Sequence, residues 1–154
     1  MSDTAVALSA TQVLLLHLTV TVFLCGLIWV VQVVHYPLFD RVERGAFAAF
    51  EAAHQRRISR VVMPAMVIEA TTAGWWLLAT WRAGEPLLWT AINGGLVVVI
   101  WASTAWLQVP QHARLSRGFD PVAHRRLVGS NWLRTAVWSG RTVLLLALVW
   151  RETL

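Results

Sequence analysis

Residues 11–34 read TQVLLLHLTVTVFLCGLIWVVQVV, twenty-four positions with no formal charge. A helix crossing a bilayer needs about 20 mostly apolar residues, and this stretch supplies them without a break. It is a poor secretory leader. No basic region precedes it, Asp3 stands there instead, and its apolar run is longer than a leader's core. Three further stretches meet the same requirement, at about 61–81, 87–109 and 132–150. The sequence therefore predicts an all-α, integral membrane four-helix bundle forming one transmembrane domain over residues 1–154.

Composition agrees. The chain has 154 residues, 57% apolar and 14% charged, with a mean hydropathy of +0.58. A water-soluble domain carries nearer 25% charged residues. The single Cys25 excludes an internal disulfide. Every one of the thirteen basic residues is arginine. The net charge of +5 does not point to nucleic acid, because the arginines flank the spans, where anionic lipid headgroups are the nearer partner.

Arginine placement sets the orientation. Arg41, Arg44, Arg56, Arg57 and Arg60 lie between the first two spans, and Arg114, Arg117, Arg125 and Arg126 between the last two. The other side offers only Arg82, offset by Glu85, and Arg151. The positive-inside rule then puts the two long connections in the cytoplasm and both termini outside. Trp81, Trp89, Trp132 and Trp150 fall near span ends, as interfacial anchors do.

The two halves share an order of features. The first runs Gln32, His35, Arg44-Gly45, His54 and Arg56-Arg57; the second runs Gln108, His112, Arg117-Gly118, His124 and Arg125-Arg126. Two readings stand: a parallel two-fold internal repeat, or convergence of similar membrane exits. Each connection is expected to hold an interfacial helix. Phe47, Phe50, His54 and Ile58 recur at helical spacing in the first, and Asp120-Pro121 would open the helix of the second.

Inside the spans, His17, Thr21, Cys25, Ile28, Gln32 and His35 share one helical face. Asn93, Val97, Ile100, Thr104 and Gln108 repeat the stripe more weakly. Glu69 and Arg141 each lie about ten residues in from the arginine-rich end, hence ~15 Å deep. Equal depth predicts a buried ion pair, since a lone charge there costs at least ~2.5–3.5 kcal/mol. A proton-coupled or anion-binding role is the alternative. His17, ~27 Å along the axis from His35, reads as a separate core histidine near the outer surface.

His35, His54, His112 and His124 all fall at the arginine-rich end. Imidazole is a common ligand of Fe, Cu and Zn, and Glu51 with His54 has the Glu-x-x-His step of carboxylate-bridged metal bundles. A metal site of His35, His54, His112, His124 and Glu51 is one expectation. A haem or other cofactor held by His35, His112, His124 and Arg134 is a second. A catalytic site of His35, His54, His112, Asn131 and Arg134, with histidine as general base and Arg134 on an anionic group, is the third. Hydrogen bonding of these histidines to loop carbonyls or lipid phosphates is the structural alternative.

Val109-Pro110-Gln111-His112-Ala113-Arg114-Leu115, followed by Asn131-Trp132-Leu133-Arg134-Thr135, resembles the C-terminal third of the anthrone-oxygenase-like family of small four-span membrane proteins. Asn131, Arg134 and Thr135 match its Asn-x-x-Arg-Thr element, whereas His112 stands where that family has asparagine. The histidine-rich form is similar to uncharacterised bacterial inner-membrane proteins. The resemblance implies a bacterial plasma-membrane location and an oxygenase of polycyclic phenols that needs no cofactor. The function expected is thus a small membrane enzyme or redox protein of oxidoreductase or oxygenase class, with its site at the cytoplasmic end. A proton, ion or small-molecule carrier working as a homo-oligomer, with the polar stripe lining its path, is the alternative. An accessory subunit docked on a membrane partner is another.

Overall fold

The computed structural model describes residues 10–153 and contains helices and no strands among them. Asp3, on which the leader argument drew, lies outside the described residues. Among the described residues four helical runs are long and apolar enough to cross a membrane: Thr11–Arg41, Phe47–Arg82, Leu88–Leu115 and Pro121–Arg151. The chain is a multi-pass membrane protein. Its burial pattern is inverted relative to a soluble bundle. Phe23, Trp29, Val30, Val33, Val98, Trp106 and Val143 face outward, while His17, Thr21, Glu69, Asn93 and Arg141 are buried. Lipid cannot satisfy a polar group, so such groups turn to the bundle interior.

Helix α1 (Ala10–Val30) passes into a π turn at Val31–His35 and a 3-10 turn at Pro37–Arg41. Helix α3 (Leu88–Ser103) passes into a π turn at Thr104–Gln108 and then α4 (Val109–Leu115). Both π turns have one cause. Pro37 and Pro110 each carry no N–H to give the carbonyl four residues back. The ladder slips by one instead, so that Tyr36 N–H donates to Val31 O at 2.9 Å and Val109 N–H to Thr104 O. In both halves the proline sits two residues after the π turn.

The second span is longer than its hydropathy. Helix α2 (Phe47–Arg82) has 36 residues and contains Pro64, ~54 Å at 1.5 Å per residue against an apolar layer of about 30 Å. The expected interfacial helix around Phe47–Ile58 is therefore no separate element; it is the projecting end of α2. The same holds for α5 (Pro121–Thr153), which begins at Asp120-Pro121 and runs on through the fourth span. The arginines of the segment interrupt hydropathy, not the helix, because arginine is a good helix former. Asp120 starts α5 by accepting from the backbone N–H of Val122 and Ala123 at 2.8 and 3.1 Å. These amides, Ala123 foremost, with Arg114 beside them, hold its carboxyl below the usual carboxylate range.

In cross-section the four spans form a ring in chain order, with α1 beside α2, α2 beside α3, α3 beside α5 and α5 beside α1. At the arginine-rich end, Phe39, Phe47, Leu115, Ala123 and Leu127 are buried in one cluster, partly covered by Phe50 and Phe119. Arg44 lies over the Phe119 ring at 3.6 Å. This aromatic cap closes that end of the bundle over the histidines.

At the other end the α2–α3 turn uses Gly84 at φ 70°, with Glu85 N–H donating back to Thr80 O at 3.1 Å. An added Cβ would meet nothing within 4 Å, so Gly84→Ala isolates the left-handed conformational cost. It should destabilise by about 1–2 kcal/mol and lower the midpoint of thermal unfolding in detergent, with helix content unchanged at room temperature.

Candidate functional site

Two polar networks lie within the bundle, one at mid-depth and one under the aromatic cap. The deep network centres on Glu69 and Arg141, both fully buried and ion-paired. Glu69 also accepts from Thr21 Oγ1 at 3.0 Å and from Trp138 Nε1 at 3.1 Å. Arg141 Nε donates to Asn93 Oδ1 at 3.2 Å. Its Nη2 and the Asn93 amide both approach His17 Nε2, at 3.2 and 3.1 Å. Two donors on one ring nitrogen make that nitrogen the acceptor, so His17 is neutral with its proton on Nδ1, given to Thr72 Oγ1 at 2.8 Å. His17, expected near the outer surface on its own, is thus a member of the buried ion-pair network. Each ionised group here has polar partners on several sides, the condition for keeping charge in an apolar medium.

The second network starts where α1 leaves its regular helix. The π turn and Pro37 bring His35 and Tyr36 against α2, whose projecting end carries Glu51, His54 and Gln55. α4 brings His112, and α5 brings Asn131 and Arg134. His112 Nδ1 lies 2.6 Å from Glu51 Oε1, and Glu51 is fully buried. His112 Nε2 lies 3.0 Å from Tyr36 Oη. A carboxylate can only accept, so His112 donates from Nδ1 to Glu51, leaving Nε2 to accept the tyrosine proton. Arg134 lines the same pocket as Tyr36. Gln55 Nε2 donates to Glu51 Oε1 at 3.0 Å and to Ser116 Oγ at 2.8 Å, tying α2 to the end of α4.

His35 and His54 adjoin this chain. His35 Nε2 and His54 Nδ1 are 2.8 Å apart, and the His54 ring centroid lies 5.6 Å from that of His112. His54 Nε2, Glu51 Oε2 and Arg134 Nε are buried without a partner. His124 points elsewhere: its Nε2 bonds the Tyr36 carbonyl oxygen at 2.8 Å. Asn131 holds the floor in place, giving Nδ2 to Gln32 Oε1 at 2.9 Å and taking Arg134 Nη1 at 3.3 Å.

The five residues expected as a metal set thus divide into a contiguous group, His35, His54, Glu51 and His112, and an outlying His124. Among the described residues no three His, Cys, Asp or Glu side chains form a group that could hold a metal ion. Of the cofactor set His35, His112, His124 and Arg134, only His112 and Arg134 line a common cavity. The catalytic set divides into His35, His54 and His112, joined by a hydrogen bond and a ring contact, and Asn131 with Arg134, joined by a hydrogen bond, and the two groups meet at the pocket that His112 and Arg134 both line.

Sequence reasoning missed Tyr36, which hydrogen-bonds His112 and lines the pocket with Arg134. It is the only tyrosine in the chain, and it lies between a histidine and a proline at a span exit, a conjunction that could have drawn attention. Gln55 was also missed, as was Trp138, which sets its ring under Arg134 at 5.0 Å and its N–H on Glu69. Trp138 thereby separates the two networks.

Tyr36, Gln55, His112 and Arg134 open onto a half-open pocket of about 170 Å³. Its remaining wall is mostly apolar, with Leu24, Ile28, Met63, Met66 and Trp138. A buried carboxylate–imidazole–phenol chain ending at an apolar cavity can move a proton to or from a lipid-soluble molecule. Comparison with protein-family models, with curated proteins and with solved structures finds no match for this chain.

Proposed function

We propose that the protein is a small integral membrane enzyme that performs acid–base chemistry on a lipid-soluble substrate at the cytoplasmic end of its bundle. The observation that carries the reading is the chain Glu51–His112–Tyr36 ending at the pocket. Tyr36 Oη takes a proton from the substrate as its own proton passes to His112 Nε2. Glu51 fixes the imidazole tautomer and balances the imidazolium that forms. Arg134 stabilises negative charge on the tyrosine oxygen or on the substrate anion. Reprotonation at another atom would make the reaction an isomerisation. Transfer of electrons from the anion to dissolved dioxygen would make it a cofactor-free oxygenation, the class that the C-terminal resemblance implies.

The positive-inside rule supports a cytoplasmic position for the arginine-rich end. The parallel repeat belongs to the same proposal. The step from π turn to proline is common to both halves, and Pro37 to Arg44-Gly45 spans the same distance as Pro110 to Arg117-Gly118. On this reading duplication supplied the bundle, and the site draws Tyr36 and Glu51 from the first half and His112 and Arg134 from the second.

The test is a panel of lipid-soluble phenols, quinols and β-dicarbonyl compounds incubated in D2O with the purified protein in nanodiscs. Mass spectrometry reads deuterium uptake and dioxygen-dependent products. At least one compound class should exchange or oxidise above the rate with empty nanodiscs. No gain for any class, with the protein shown to be folded, would overturn the reading.

A further inference from the structure

Arg134 is 6% exposed, lines the pocket, and has an unpartnered Nε. Its described hydrogen bond goes to a neutral group, the Asn131 amide oxygen. Among the described residues no carboxylate pairs with it; the ion pairs are Arg41–Asp40, His112–Glu51, Arg114–Asp120 and Arg141–Glu69. The bundle thus treats its two buried arginines differently. Arg141 has its counter-charge built in, whereas Arg134, two turns away along α5, has only a cavity on its open side. A buried cation without a counter-ion is costly, and an anion entering the pocket would remove that cost.

The pocket also has a polarity axis. Along the first span its lining passes from Leu24, Leu27, Ile28 and Val31 to Tyr36, and along α2 from Met66, Met63 and Val62 to Gln55. Both sequences run from apolar at mid-membrane to polar at the arginine-rich end, over ~16 Å on α2. The rim is lateral. Ser59 and Met63 of α2 and Val109 of α4 are exposed on the outer surface of the bundle. A cavity apolar toward the midplane, polar toward the headgroups and open at the side matches the orientation of a lipid in the leaflet on that side.

We propose that this pocket binds a single-tailed amphipath with a planar, monoanionic head of carboxylate or enolate type, drawn laterally from that leaflet. The head sits on the Arg134 guanidinium, with Tyr36, Gln55 and Gln108 as neutral hydrogen-bonding neighbours. The tail lies along Leu24, Ile28, Met63 and Met66. One planar guanidinium matches one planar anion in charge and in two-point geometry. His112 is already engaged with Glu51, so no second free cation stands ready for a phosphate dianion. The proposal rests on the pocket being the substrate site of the acid–base reading, and it names the class of substrate.

The test measures binding apart from turnover. Purified protein in a neutral maltoside detergent is titrated with oleate, oleyl alcohol and oleoyl lysophosphatidate, and occupancy is read by native mass spectrometry. Oleate should bind at least about tenfold more tightly than the other two. Arg134→Gln should lose about tenfold for oleate and little for the alcohol. Met63→Trp, which fills the rim, should weaken oleate without touching the guanidinium. Equal affinity for oleate and oleyl alcohol overturns the proposal, as does tighter binding of lysophosphatidate, no saturable binding of oleate, or undiminished oleate binding by folded Arg134→Gln. If Arg134→Gln fails to fold by circular dichroism, the discrimination among the three ligands by the wild-type protein decides. Binding without turnover in the wild type would remove the acid–base reading and leave the ligand class standing.

Discussion

Replacing Arg141 with methionine while Glu69 remains is expected to destabilise the folded bundle by about 3–5 kcal/mol, read as a lower midpoint in reversible detergent unfolding. The substitution leaves the fully buried Glu69 carboxylate with only the Thr21 hydroxyl and Trp138 N–H as donors, and frees the Asn93 and His17 acceptors that Arg141 now satisfies. The double variant Glu69→Met with Arg141→Met removes both charges and should recover most of the loss. Recovery should be incomplete, because the Trp138 N–H and the Asn93 carbonyl oxygen each forfeit a bond worth roughly 1 kcal/mol. A single variant as stable as the wild type would show that the pair does not hold the spans in register. A double variant no better than the single would locate the loss in packing around the Trp138 ring instead of in unpaired charge. Either result bears on the carrier alternative, since a network whose only cost is structural gives no reason to route an ion through it.

What could be read from the sequence, and what could not, divides along physical lines. Bilayer thickness imposes a length on apolar runs, so the four spans stand out without any structure. Glu69 and Arg141 could be set at one depth because helical rise converts residue count into distance. Helical spacing marked Phe47, Phe50, His54 and Ile58 as a helix, but hydropathy did not show that this segment, which carries Glu51, His54 and Gln55, runs unbroken into the second span. That segment is polar on one side, and a polar helix leaves no hydropathy trace. The π turns were equally hidden. Pro37 and Pro110 are plain in the sequence, but the ladder slip before each, which rotates the following residues, follows from how the freed carbonyl finds a donor. Rotation is also why the histidines were read as two equivalent pairs. His54 and His124 occupy similar places in the two halves, yet the distance from the Arg-Gly turn is ten residues for one and seven for the other. His54 meets His35, whereas His124 meets a backbone carbonyl. Counting along the chain gives depth well and azimuth poorly, and the site depends on azimuth.

Glu51→Gln is expected to lower turnover of any substrate found in the exchange panel by about 10²–10⁴-fold while leaving ligand binding in the pocket intact. The reason is tautomeric. The carboxylate can only accept, which puts the His112 proton on Nδ1 and the lone pair on Nε2, facing Tyr36 at 3.0 Å. A glutamine amide can turn its NH2 toward Nδ1, and the proton then moves to Nε2. The imidazole would present a donor to Tyr36 and could no longer take its proton. Tyr36→Phe should lose a similar factor by removing the atom that meets the substrate, and Arg134 would keep its charge and its Asn131 contact. The two variants should not be additive, because both break one chain. The double variant should fall close to the worse single, as residues acting as a unit do. Additive losses would mean that Glu51 acts through something other than Tyr36. The nearest candidate is then His54, whose buried Nε2 and the free Glu51 Oε2 lie on the same helix three residues apart, and His54→Gln would become the variant that separates a second proton route from the first.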